Sequence, residues 1–387
     1  MTVGATSWAS PVSEAPRTGP VGIGIVGAGN ISSQYLSNLT RFPDTTVLAI
    51  GDALPDVARA KAAEHGVALA GDAASVLDHP DVEIVVNLTV PAAHAEVALR
   101  AVAAGKHVWN EKPIALDRAA AAGVLEAASA AGVRVGCAPD TFLGEGLQAV
   151  RRLLDDGAIG RPLTALALMQ SPGPDAWHPN PAFLFQEGAG PLFDIGPYYL
   201  TALVQVFGAV GRVGALASTA RAVRVIGAGP RKGEPFDVTA PSHVAALLEF
   251  VGGGSAQVVF SFDSGFPRTL LEVNGTDGTL ISPDPNEFDG DVSIRRGGAA
   301  TPEPAASTTS RSTRGTGVLE MARAILSGRP HRADGALAFH VLDTMQAIED
   351  AIDQRAFVPV GSRVAPAEPL PADWDPFAPT LEGAVAT

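Results

Sequence analysis

The sequence is poor in cysteine, in positive charge and in long apolar runs, and each shortage excludes something. Cys137 is the single cysteine, so no internal disulfide can form, which fits a reducing cytoplasm. It lies in the apolar strand pattern 133–138 and suits a small buried hydrophobe. Lysine and arginine number 27 against 41 aspartates and glutamates, a formal net charge of −14 that disfavours a polyanionic partner such as nucleic acid. No run approaches the roughly eighteen consecutive apolar residues of a membrane span, so no membrane partner is expected. Residues 1–20 carry Pro11, Pro16 and Pro20 among Ser and Gly, without a basic start or a compact apolar core. They read as a disordered leader rather than a secretion signal, and a cytoplasmic protein is expected. His65, His79, His331 and His340 share no metal-ligand spacing, and no metal is expected.

What is present first is alternation. A short apolar run at 21–26 ends at Gly27, helical spacing follows over 30–42, and a second strand at 47–50 ends at Asp52. Pro55 opens a helix that Gly66 stops. A helix at 72–77, strand 84–88, helix 92–104, strand 107–109, a helix capped by Asp117 and a strand at 133–137 continue the pattern. Strand–helix alternation over about 120 residues predicts a doubly wound parallel sheet, the Rossmann arrangement.

After Pro139 the grammar changes. A helix at 143–156, a strand at 163–169, a loop at 171–181 crowded with proline and aromatics, and an apolar helix at 190–207 come first. Strands at 213–218, 244–250, 256–262, 270–273 and 279–281 follow, with hairpin signals at Gly252-Gly253-Gly254 and Asp277-Gly278. The second half is therefore α+β, with a large, mostly antiparallel open sheet. The Ala-, Thr- and Ser-rich stretch 297–316 reads as a surface loop, and helices at 317–326 and 335–353 close the chain. The expected division is a leader at 1–20, a nucleotide domain at 21–140, a substrate-binding and oligomerisation domain at 141–365 and a tail at 366–387. The helix 335–353 is placed in the second domain, with packing back on the first as the other arrangement open to it.

Gly27-Ala28-Gly29 between a strand and a helix offers what a pyrophosphate needs: a tight turn, no Cβ in the way and free N–H groups at a helix start. Ser32 stands where a third small residue packs helix on strand. Asp52 ends the second strand, where a carboxylate either accepts from a ribose 2′-hydroxyl or caps the next helix. Ala53-Leu54 after it provide no Arg or Ser for a 2′-phosphate, which favours NAD over NADP. Downstream, Glu111-Lys112-Pro113 puts an amine just past the strand ending at Trp109, on the edge where such sheets hold ligands.

These residues resemble the glucose–fructose oxidoreductase, inositol dehydrogenase and rhizopine-catabolism (Gfo/Idh/MocA) family over about residues 21–360. The carriers are Gly24-Ile25-Val26-Gly27-Ala28-Gly29-Asn30-Ile31, Asn87-Leu88-Thr89-Val90-Pro91-Ala92-Ala93-His94, Ala104-Gly105-Lys106-His107-Val108-Trp109-Asn110-Glu111-Lys112-Pro113 and Gly188-Ala189-Gly190-Pro191-Leu192-Phe193-Asp194-Ile195-Gly196-Pro197-Tyr198-Tyr199. The resemblance implies a pyridine-nucleotide enzyme of sugars and polyols with Lys112 catalytic. It further implies that Gly27, Gly29, Asn30, Ile31, Thr89, Pro91 and His94 lie beside the cofactor, that Glu111 reaches its ribose, and that the open sheet supports a homodimer or homotetramer. His94 also reads as an ordinary residue in a helix's first turns. Where many relatives have a histidine base and a later aspartate, this chain has Tyr198 and Thr201, as the glucose–fructose and dihydrodiol branches do.

The chemistry this implies is hydride exchange at a ring hydroxyl or ketone of a sugar, sugar derivative or polyol. A tyrosine of pKa about 10 is a poor base until an ammonium such as that of Lys112 favours its phenolate. Tyr198 and Lys112 then form an acid/base pair, with Asp194, four residues earlier on the same helix face, orienting the hydroxyl or holding Lys112. Against this stand a surface lysine, a packed tyrosine and a structural aspartate. Trp177 and His178, in a proline-stiffened loop, suit either stacking on a sugar and bonding to its hydroxyls or a rigid surface turn. Two other functions remain open: glycoside cleavage or elimination through transient sugar oxidation, and a non-catalytic sensor of NAD or sugar.

Overall fold

The computed structural model describes residues 19–380, so the expected leader, apart from Gly19 and Pro20, and the last seven residues of the expected tail lie outside the described residues. Val21–Val26 (β1) is buried at every position, as a central parallel strand is. Ser32–Leu39 (α1), Thr45–Gly51 (β2), Pro55–His65 (α2), Leu69–Gly71 (β3), Ala73–Leu77 (α3), Ile84–Asn87 (β4), His94–Ala103 (α4), His107–Asn110 (β5), Arg118–Ala131 (α5) and Val135–Cys137 (β6) follow. Local signals fix these ends. Pro55 begins α2 and Gly66 ends it at φ +69°, while the Asp117 side chain accepts from the Ala120 N–H at 2.8 Å to cap α5.

The six strands make one parallel sheet in the order β3-β2-β1-β4-β5-β6. The order reverses between β1 and β4, which puts a crevice at the carboxyl ends of those strands. β3 was not anticipated: it is three residues long, begins with a 39% exposed Leu69, and follows α2 after only a short Gly66-Val67-Ala68 link.

Glu145–Asp155 (α6), Pro162–Gln170 (β7), Gly190–Phe207 (α7), Val210–Ser218 (β8), Val223–Val225 (β9), Pro235–Asp237 (β10), His243–Phe250 (β11), Ser255–Ser261 (β12), Arg268–Gly275 (β13), Gly278–Ser282 (β14), Gly290–Arg296 (β15) and Glu303–Thr308 (β16) come next. Thr316–Leu326 (α8), Gly335–Gln354 (α9) and Val358–Pro359 (β17) complete the described chain. Nine strands form a sheet in the order β16-β15-β14-β13-β7-β12-β11-β8-β17, in which β7 and β12 are the parallel pair. Their neighbours run antiparallel, as expected. α7 covers one face, where Tyr199 meets the ring of Phe260 edge-on at 5.7 Å. β9 and β10 stand apart as a two-stranded hairpin.

The stretch expected as a surface loop contains β16. It is an edge strand of Glu, Pro, Ala, Ser and Thr that buries no side chain fully, so nothing in its sequence alternates. β15 turns only Val292 and Ile294 fully inward, and β9 and β10 are three residues each, which is why none was legible.

The chain groups into two compact units. One comprises Glu145–Thr309 and Asp343–Pro366; the other comprises the described residues 19–144, Ser310–Leu342 and the described residues 367–380. Residues 310–342, expected in the second domain, and 367–380, expected as a tail, thus belong with the nucleotide sheet. Buried polar contacts tie them there. Asp140 Oδ2 accepts from the Gly315 and Gly317 N–H groups at 3.0 Å each. Arg323 Nε donates to Asp44 Oδ2 at 2.7 Å and its guanidinium to Ala378 O at 2.6 Å, while the Thr380 N–H donates to Asp44 Oδ1 at 3.0 Å. Among the described residues no helix is long and apolar enough to cross a membrane.

Candidate active site

The glycine turn follows from backbone geometry. Gly27 has φ +105°, and a Cβ there would lie 2.6 Å from the Leu88 carbonyl, so only glycine fits. At Gly29 a Cβ would meet nothing within 4 Å, which leaves open space in front of α1. Ser32 is fully buried and its Oγ donates to Gly29 O at 2.6 Å, so it both packs the helix and closes the turn. Ile31, at the helix cap with Asn30 exposed before it, supplies no side-chain bond to the N–H groups of the first turn. Such a start can hold an anion.

Asp52 does two things. Its Oδ2 accepts from the Ala28 N–H inside the glycine turn at 2.8 Å, and its Oδ1 accepts from the Leu54 N–H at 2.9 Å, just before α2. The carboxylate therefore ties the second strand's end to the turn and caps the following backbone. Each oxygen keeps a further lone pair for a hydroxyl donor.

Lys112 lies on a turn clamped from several sides. Asn87 and Asn110, both fully buried, end β4 and β5 and are joined Nδ2 to Oδ1 at 2.9 Å. Asn87 Nδ2 also donates to His94 O at 3.1 Å, and its Oδ1 accepts from Thr89 Oγ1 at 2.7 Å. Asn110 Nδ2 donates to Ile114 O at 3.2 Å. His94 is 1% exposed, and its ring spans two carbonyls, Pro113 O at 2.6 Å from Nδ1 and Thr89 O at 3.0 Å from Nε2. Pro91 opens a single 3₁₀ turn between Thr89 and His94. Thr89, Pro91, His94 and Pro113 are thus one stapled assembly beside Lys112.

Glu111 is turned into this assembly. Its Oε2 accepts from the Lys112 N–H at 2.9 Å and its Oε1 from the Tyr35 hydroxyl at 2.8 Å, while Trp109 Nε1 donates to Tyr35 Oη at 3.3 Å. Burial first, and the Glu111 and Asp140 charges next, push the Tyr35 hydroxyl well above its ordinary pKa, so it remains a donor. Burial also raises the Cys137 thiol, in keeping with a packed rather than reactive cysteine. Tyr35, Asn87, Trp109 and Asn110 had no assigned role in the sequence reading. The available signal was an asparagine closing each of two apolar strand runs.

Asp194, Tyr198, Trp177 and His178 belong to the other unit. α7 carries Asp194 and Tyr198 one helical turn apart, with Tyr198 7% exposed. The next residue, Tyr199, is fully buried and its hydroxyl donates to Asp284 Oδ1 at 3.2 Å, which fixes the rotation of the helix. Burial and the Asp284 carboxylate raise the Tyr199 hydroxyl far above its usual pKa. Trp177 is 68% exposed, and His178 meets Trp177 and Phe183 edge-on, both at 5.6 Å.

The family model described as the oxidoreductase family with NAD-binding Rossmann fold matches residues 21–138, and the GFO/IDH/MocA C-terminal domain matches residues 147–281. The chain is 34% identical over 150 residues to an inositol 2-dehydrogenase of Klebsiella pneumoniae, a match taking in 36% of this chain and 43% of that protein. It therefore spans less than half the length of that relative. It is 27% identical over 274 residues to a 1,5-anhydro-D-fructose reductase of Ensifer adhaerens, covering 67% of this chain and 74% of that one. A crystal structure of an NAD binding oxidoreductase from Klebsiella pneumoniae shares the fold with TM-score 0.78 at 21% identity, over 88% of this chain and 99% of that one. With both of its domains matched by the family's models, the chain belongs to the GFO/IDH/MocA oxidoreductase family.

Proposed function

We propose that the protein is an NAD(H)-dependent oxidoreductase exchanging hydride with a ring hydroxyl or ketone of a sugar, sugar derivative or polyol. The observation that carries this reading is the stapled Lys112 turn beyond β5, in the unit whose glycine turn is bonded to Asp52. Gly27, Gly29, Asn30 and Ile31 would hold the pyrophosphate, Asp52 the adenosine ribose, and Thr89, Pro91, His94 and Glu111 the lysine turn against the cofactor. The fit rests on the open space at Gly29 and the uncapped start of α1. When bound, the nicotinamide supplies the hydride acceptor or donor.

In this reading the chain's own residues handle the proton and orientation. The Lys112 ammonium polarises the carbon–oxygen bond and stabilises alkoxide charge, Tyr198 takes or returns the hydroxyl proton, and Asp194 accepts from a neighbouring hydroxyl. Trp177 and His178 contact the ring. Leu216 and Leu247, 75% and 50% exposed on the uncovered sheet face, line a shallow hollow of about 840 Å³ with Phe357, and support a homodimer built on that face. Assays of purified protein with aldoses, keto-sugars and inositols, following 340 nm absorbance with NAD(H) and NADP(H), test the proposal. Turnover with NAD(H) supports it. NAD binding without any redox change across the panel contradicts it.

A further inference from the structure

Arg224 has no task in the chemistry above, yet it is a buried charge with an unusual number of partners. It sits on β9, 3% exposed. Nη1 donates to Asp175 Oδ1 at 2.6 Å and Pro172 O at 2.9 Å; Nη2 donates to Asp263 Oδ1 at 2.5 Å and Phe262 O at 2.7 Å. The guanidinium also lies 4.8 Å from the centroid of the Phe185 ring. Asp263 Oδ2 accepts in turn from Ser242 Oγ at 2.5 Å. One side chain thus joins the 172–185 loop, the β9–β10 hairpin and the end of β12.

What it holds is exposed. Trp177 and Phe183, 68% and 51% exposed, flank His178 in the edge-on cluster carried by this loop. The same loop runs directly into α7, and its exit is zipped to the hairpin. The Thr239 and Ala240 N–H groups donate to Phe185 O at 2.9 and 3.0 Å, and Gln186 Nε2 donates to Asp237 O at 2.9 Å.

A buried arginine between two half-buried carboxylates is an unfavourable way to fold a loop unless the charges are paired and hydrogen-bonded. The two terminal nitrogens of the planar fork serve two carboxylates and two carbonyls at once, which a lysine ammonium cannot do with one nitrogen. Folding gains nothing from fixing an indole in solvent, whereas stacking on the C–H face of a ring requires it. We infer that Arg224 is a positioning residue for substrate recognition, fixing the Trp177–His178–Phe183 cluster as a platform for the C–H face of a cyclic sugar or polyol. The inference rests on the sugar reading above and assigns the substrate-orienting part of it.

The test compares wild type, Arg224→Lys, Trp177→Ala and the double variant as intact proteins. Arg224→Lys keeps the charge, so the fold has a partner for both carboxylates while the fork is lost. KM for the sugar found in the panel should rise about tenfold in each single variant with kcat within about twofold, since uniform ring binding is what is removed. The double variant should be no worse than Trp177→Ala, because the arginine acts through the loop. NADH affinity, read by fluorescence, should not change. Amide hydrogen exchange over 172–189 should quicken at least about tenfold in Arg224→Lys, with residues 19–144 unaffected. Additive losses, a fall in kcat with KM unmoved, or unchanged exchange over 172–189 would overturn the inference. Wild type inert towards every sugar would instead remove the ligand assignment together with the sugar reading, and the exchange measurement would still judge the anchoring role.

Discussion

The Lys112 turn and the Trp177 loop are both irregular segments at strand ends, and they are held by opposite means. Around Lys112 the anchors include two amides, Asn87 and Asn110, 23 residues apart, and the ring of His94, 19 residues from the carbonyl it bonds. Around Trp177 the anchor is a charge, with Arg224 reaching Asp175 and Asp263 across 49 and 39 residues. The difference has a physical reason. The catalytic ammonium proposed for Lys112 would be disturbed by an added buried charge, whereas amides clamp its backbone without adding one. Glu111 is the exception, and its two oxygens are directed to Tyr35 and the backbone. The Trp177 loop has no ammonium to protect and can be fixed by strong, long-range ion pairs.

The contrast can be broken experimentally, starting with the largest expected effect. Lys112→Met should lower turnover about a thousandfold while leaving the NADH dissociation constant within about threefold, as expected for loss of a group acting on the reacting oxygen. Equal loss of binding and turnover would make Lys112 a cofactor clamp. Arg224→Met should cost about 3–5 kcal/mol in urea unfolding, since it strands two largely buried carboxylates. Asn87→Leu strands neutral groups and should cost only about 1–3 kcal/mol. A larger loss from Asn87→Leu than from Arg224→Met would invert the comparison.

The smallest effect concerns charge in the nucleotide unit away from the turn. Glu320 is fully buried between Arg329 and Arg332. Burial pulls its pKa up, but the Arg329 charge and the Arg332 N–H and guanidinium outweigh it and hold the carboxyl below its ordinary value. A lowered carboxylate contributes stability that is complete above the unfolded pKa of about 4.3 and lost as pH falls through the lower folded value. Glu320→Gln should therefore be less stable than wild type at neutral pH and lose less stability as pH falls below about 4.3. Equal acid sensitivity of the two proteins would show that the pair does not stabilise the fold.

The amide clamp and the charged hub were also unequally visible in the sequence. The strand–Gly-Ala-Gly–helix turn and the positions of Asp52 and Lys112 just past β2 and β5 were legible because each depends on a few neighbouring residues. The start of α2 at Pro55, its stop at Gly66 and the whole of α7 were legible for the same reason. Asn87 and Asn110 could have been suspected as polar residues ending apolar strands, but their pairing depends on β4 and β5 being neighbours. Arg224 gave no sign. It lies in a three-residue strand, and its partners come from two segments distant in sequence. The same holds for residues 310–342, joined to the nucleotide unit by Asp140 and Arg323 rather than by any periodicity.

The claim on which the functional reading turns is that Lys112 and Tyr198 act as one acid/base unit. Single-turnover hydride transfer in Lys112→Met, Tyr198→Phe and the double variant tests it most directly. Groups acting together should give a double variant scarcely slower than Lys112→Met alone, with NADH affinity preserved in all three. Losses that multiply, or a Tyr198→Phe variant as fast as wild type, would contradict the account.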